Sequence, residues 1–150
     1  MRRDGGFTFV ELIVVLFILS VIAVLAAPSF SRTIVSARLR ASASEVRSTL
    51  ARARTLAIAG AVERAVVFDL EKGEYGLDNE ATRRGFPESV RLSGVLFGGE
   101  RGERVERGDA VVRFFPDGSA EEAEVSVTAG DGGSLRVTVE PLTGIAEAGT

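Results

Sequence analysis

The chain of 150 residues has no cysteine and no histidine. Without thiols it can form no disulfide, so in an oxidising compartment the fold must rest on packing alone. Lacking both residues, it cannot build Ser-His-Asp or Cys-His catalysis or the common zinc sites. No recognisable nucleophile and base pair stands in the chain, so neither an enzyme nor a cofactor site is expected. An excess of charge of either sign is also lacking, with 18 Lys and Arg against 21 Asp and Glu. The formal net charge is −3, which gives no general attraction to nucleic acid. The tail Glu140 to Thr150 carries Glu140 and Glu147 and no Lys or Arg. Gly94 to Gly102 is glycine-rich but opens no helix, so it does not read as a phosphate loop.

What the chain does have is concentrated at its start. Met1 to Gly6 form a short leader with Arg2 and Arg3. From Phe7 to Ala27 only Thr8, Glu11 and Ser20 are polar. As a helix that run spans roughly 31 Å, the thickness of a bilayer's hydrocarbon core. A helix satisfies its own backbone in lipid, so the run can be a membrane span. The arginines before it place the N-terminus in the cytoplasm by the positive-inside bias. Glu11 is the anomaly, because a carboxylate in lipid is costly unless it snorkels or finds a cation. Cleavage between Gly6 and Phe7 would create an α-amine about one turn from Glu11. A neighbouring copy shifted along a common axis could present that amine to the carboxylate.

The order basic leader, Gly6, Phe7, four residues, Glu11 and apolar helix resembles the N-terminus of type IV prepilins and type II secretion pseudopilins. That resemblance implies cleavage after Gly6 by a prepilin peptidase, N-methylation of Phe7, and a role for Glu11 in subunit assembly. Pro28 matches the proline that pilin-like chains carry at this distance, where it kinks the helix. Two other readings of the run are an ordinary secretory signal cut near Ala26 and Ala27, releasing a soluble periplasmic binding module, and an uncut single-span anchor.

Beyond Pro28, Leu39, Ala43, Val46, Leu50, Ala53 and Ala57 recur at steps of three and four, an apolar helical stripe. Gly60 suits the helix stop. A continuous helix from about Phe7 to Ala59 would be roughly 80 Å long. The period then changes to two. Strands are expected at 65–70, 74–77, 90–97 (one strand or a pair), 110–115, 123–128 and 134–139, with turns at 71–73, 116–118 and 131–133. Residues 79–85 read as a polar loop. Residues 98–109 read as a mobile charged loop holding Glu100, Arg101, Glu103, Arg104, Glu106 and Arg107. Asp117, Glu121, Glu122, Glu124 and Asp131 invite a calcium reading, but their spacing fits no EF-hand, so no metal site is expected.

The fold class is therefore α+β, and the resemblance makes it type IV pilin-like: a long N-terminal helix packed on an antiparallel β-sheet domain. Phe86-Pro87-Glu88-Ser89-Val90-Arg91-Leu92, Phe114-Phe115-Pro116-Asp117-Gly118-Ser119 and Leu142-Thr143-Gly144 look like the C-terminal domain of H-type minor pseudopilins. The expected organisation is a prepilin leader 1–6, a transmembrane and filament-core helix 7–27, an amphipathic second half of the helix 28–60, and a periplasmic β-rich domain 61–150. The resemblance implies a minor pseudopilin of a type II secretion system, anchored once in the bacterial inner membrane with its C-terminal domain in the periplasm. Its partners would be the prepilin peptidase, other major and minor pseudopilins, the inner-membrane assembly platform and the lipid bilayer. The nearest alternative is a minor pilin of a type IV pilus serving assembly or DNA uptake. The acidic tail weighs against the DNA role.

Overall fold

The computed structural model describes residues 8–149, with the side chains of residues 24–32 and 100 left outside that description. The sites expected at Gly6 and Phe7 lie outside the described residues, as does the side chain of Pro28 with its expected kink. Among the described residues one α-helix, α1 (Phe9–Gly60), precedes nine strands. The strands are β1 (Arg64–Asp69), β2 (Glu74–Leu77), β3 (Arg84–Gly85), β4 (Val90–Phe97), β5 (Glu103–Val105), β6 (Asp109–Phe114), β7 (Ala123–Ala129), β8 (Ser134–Val139) and β9 (Ala146–Gly149). Two compact units divide the chain at Ile34 and Val35.

In the second unit every strand pair is antiparallel, in two sheets of order β3-β2-β1-β6 and β5-β4-β7-β8-β9. The stripe Leu39, Ala43, Val46, Leu50, Ala53 and Ala57 is buried throughout, and four of its members are 0% exposed. It joins Phe68, Tyr75 and Phe114 of the first sheet and Val125, Val127 and Val137 of the second in one apolar cluster. The helix is thus the shared floor of both sheets. Small residues at positions 43, 53 and 57 allow strand side chains to come close to its axis. The Phe68 and Tyr75 rings stack at 5.9 Å between centroids, and Phe86 packs tilted against Tyr75 at 5.1 Å.

Several boundaries differ from the sequence expectation, each for a physical reason. Residues 98–109 are not a plain loop, since a short 3-10 turn at Gly99–Arg101 and strand β5 lie within them. Val105 supplies the apolar anchor that pairs β5 to β4, through Val95. The polar segment 79–85 ends in the two-residue strand β3, held against β2. The tail forms β9. Val90–Phe97 is one strand, with a register shift between Leu92 and Gly94 where Ser93 donates its hydroxyl to the Ser126 carbonyl at 3.0 Å. The helix stop is displaced by one residue. Gly60 is the last helical residue, and Ala61 takes the left-handed conformation with φ 47°. Val62 N–H donates to Ala57 O and Ala61 N–H to Ile58 O, closing the end as a Schellman motif.

Candidate functional site

The start of α1 is the first candidate. Thr8 precedes the helix, and its Oγ1 accepts the Glu11 N–H at 3.2 Å. Thr8-Phe9-Val10-Glu11 has the spacing of a capping box, in which the hydroxyl satisfies a free N–H of the first turn. A carboxylate there also sits favourably at the positive end of the helix dipole. This local role for Thr8 was readable from the Thr-x-x-Glu spacing but is absent from the sequence-level expectations above. It gives Glu11 a second reason to be acidic. Glu11 itself is exposed.

Its neighbours are exposed as well. Phe9, Val10, Leu12, Ile13, Leu16, Phe17, Leu19 and Ile22 all lie between 50% and 77% exposed. They fall on every side of the helix, which separates this segment from a helix that buries one stripe on a core. Such a surface is stable only when lipid or other apolar helices cover it. Among the described residues no helix is long and apolar enough to cross a membrane. The described side chains of the apolar run end at Ala23, short of the expected end at Ala27.

Among the described residues no group of three or more carboxylates could hold a metal ion. Four of the five acidic residues weighed for calcium are engaged separately. Asp117 accepts the Ser119 hydroxyl at 2.6 Å and its N–H at 2.9 Å, which hold its carboxyl below the usual range. Glu121 pairs with Arg113 at 2.9 Å, Glu124 faces Arg136 at 3.7 Å, and Asp131 accepts the Gly133 N–H. Within 98–109, Arg104 turns to Glu106 at 2.9 Å. Arg83 donates to the Gly76 carbonyl at 3.0 Å, so it serves the β2 edge.

Arg54 ties two of the three segments that the resemblance singled out. Its Nε donates to the Thr143 carbonyl at 2.6 Å and to the Gly118 carbonyl at 3.3 Å. One guanidinium thereby fastens the Pro116–Ser119 turn and the Leu142–Gly144 turn to the end of α1. Both turns need a glycine where they meet it, at φ 90° for Gly118 and 61° for Gly144. A side chain on Gly144 would collide with the Gly118 carbonyl and with Arg54.

Residues 1–27 match the family described as the prokaryotic N-terminal methylation motif. The fold is similar to that of the minor pseudopilin EpsH from the type 2 secretion system of Vibrio cholerae, with a TM-score of 0.59. The two chains are 14% identical, over 74% of this chain and 94% of that one, so the likeness is one of fold. No curated protein matches the sequence. The chain thus carries an N-terminal methylation motif ahead of a domain whose α+β fold is similar to that of a minor pseudopilin.

Proposed function

We propose that the protein is a minor pseudopilin, a structural subunit of the periplasmic pseudopilus of a type II secretion system. The observation that carries this reading is the methylation motif over residues 1–27 standing ahead of a minor-pseudopilin fold. Prepilin peptidase cuts between Gly6 and Phe7, and Phe7 is then N-methylated. The mature subunit waits in the inner membrane with its C-terminal domain in the periplasm. The all-round apolar surface from Phe9 to Ile22 supports this, because water would not tolerate it. The assembly platform moves the subunit into the filament, where residues 7–27 exchange lipid for neighbouring helices. Glu11 there pairs with the α-amine of an adjacent subunit, which offsets its desolvation and sets the axial register. Pro28 bends the helix between the filament core 7–27 and the half at 28–60. The domain 61–150 presents the surface that contacts other major and minor pseudopilins.

The test is the intact mass and N-terminal residue of the protein recovered from membranes of its host. A chain beginning at Phe7 and carrying one added methyl group is the expected result. A soluble chain beginning near Ala27 would overturn the proposal in favour of a released binding module. An uncut Met1 would leave a plain anchor and no partner for Glu11.

A further inference from the structure

The second half of α1 and the edge strand β9 border a groove of about 370 Å³, lined by Arg47, Ser48, Ala51, Arg54, Gly144 and Ala146 among others. Two kinds of unused binding capacity meet there. The first is backbone. Glu140 N–H donates to the Ile145 carbonyl at 3.0 Å, so these two residues form a hydrogen-bonded pair. In an antiparallel ladder such pairs alternate, which makes Thr138 and Glu147 the next one. Ala146 and Ala148 then direct their N–H and C=O groups away from β8, and among the described residues no strand follows β9 in the sheet. The second is charge. Arg40, Arg47 and Arg54 recur every seven residues, which keeps them on one side of α1 at steps of about 10 Å. Arg54 is committed to the Thr143 and Gly118 carbonyls. Arg40 and Arg47 are exposed and have no carboxylate partner among the described residues. Arg52, on a different side, is paired with Glu80 at 2.6 Å.

The other sheet's outer strand shows what a guarded edge looks like. At Arg113 of β6 the outward C=O accepts the Glu121 N–H at 2.9 Å, and the outward N–H donates to the Glu121 carboxylate at 3.3 Å. Strand β9, with the sequence Ala-Glu-Ala-Gly, has no such cover among the described residues. It carries no proline, lysine or bulge of the kind that discourages pairing.

We propose that this groove receives an extended acidic peptide segment of a partner protein, added to β9 as a sixth strand of its sheet. Alternate side chains of an added strand face the side that Ala146 faces, towards the core and α1. Carboxylates at those positions reach Arg47 and Arg40, whereas carboxylates on the opposite face meet Glu147. The segment recognised therefore has an acidic residue at every second position and a neutral one between. Main-chain bonds supply affinity and the arginine row supplies specificity, the logic of strand addition. The groove lies wholly within the second unit, and strand addition there does not depend on the chain being a pseudopilin.

The test uses the full chain in detergent micelles and a fluorescent octapeptide alternating Thr and Glu, with the Thr–Lys peptide as its counterpart. Anisotropy is expected to show binding of the acidic peptide alone. Arg47→Glu should weaken it by about tenfold or more, because it reverses a charge-assisted contact. Ala148→Pro should do the same, since it deletes an outward N–H that β8 does not use, a position where an edge strand accepts proline. A urea midpoint matching the parent shows that each variant is folded. Hydrogen exchange at Ala146 and Ala148 should slow when the acidic peptide is bound. Equal binding of the Thr–Lys peptide, undiminished binding by Ala148→Pro, or no binding of the acidic peptide would each overturn the proposal.

Discussion

Ala61 closes α1 in a backbone conformation that costs a residue with a Cβ about 1 kcal/mol or more. The glycine suited to that position sits one residue earlier, at Gly60. Ala61→Gly should therefore stabilise the protein by about 1 kcal/mol, read as a higher urea midpoint with unchanged slope. A lower midpoint would show that the strain is compensated locally. Gly144 presents the opposite case. Gly144→Ala combines a positive φ with a collision against the Gly118 carbonyl, and should destabilise by about 2 kcal/mol or more. At the other end of α1 two roles for Glu11 can be separated. Glu11→Gln can still serve the capping box but has no charge. Under the pseudopilin proposal it should insert in the membrane like the parent yet fail to enter filaments, as scored by crosslinking in the host. Filament entry equal to the parent's would remove the charge-pairing role.

At the scale of elements, the second half of α1 was the most legible part of the chain. Its six stripe residues announce one buried face by spacing alone, and all six are buried. Leu50 is fully buried among both sheets, so Leu50→Ala should cost about 2–5 kcal/mol in unfolding free energy. A cost below 1 kcal/mol would show that the sheets collapse onto the gap. The strands with alternating Val and Phe were equally plain, at β1, β6, β7 and β8. Strands β3, β5 and β9 were not. Arg84-Gly85, Glu103-Arg104-Val105 and Ala146-Glu147-Ala148-Gly149 have little strand preference of their own. They are strands because a neighbour offers them a ladder, which is a tertiary effect. The Thr8–Glu11 cap was legible in spacing, but the cost of a charge in lipid draws attention away from that simpler use of the carboxylate.

For the whole molecule, pH response follows from where titratable groups lie. Burial, and then the nearby Glu45 carboxylate, push the Tyr75 phenol from 10.0 up to about 12. The unfolded chain releases this proton first, so the folded state holds more protons between those values. Stability is then complete below about pH 10 and declines as pH rises towards about 12. Tyr75→Phe should remove that part of the alkaline decline, measured as urea midpoint against pH. An identical decline in Tyr75→Phe would reassign it to other groups. On the acid side, the Lys72 and Glu71 amides and the Lys72 ammonium hold Asp69 below its usual range. Its contribution is present above pH 3.8 and is lost as pH falls through its lower folded value.

The sequence by itself determined the fold class, the buried face of α1 and the special character of the first residues. Each depends on local composition and period: Arg2 and Arg3, the unbroken apolar run, Glu11, and the stripe from Leu39 to Ala57. Only the tertiary structure decided which edges remain open and which arginines remain unpaired. Arg40, Arg47, Arg52 and Arg54 look alike in sequence. Arg52 binds Glu80, Arg54 fastens two turns beside the groove that Arg47 also lines, and Arg40 stands exposed, because sheet order and loop placement put different partners in front of each. The edge at β9 is likewise a property of sheet order, which no window of sequence contains.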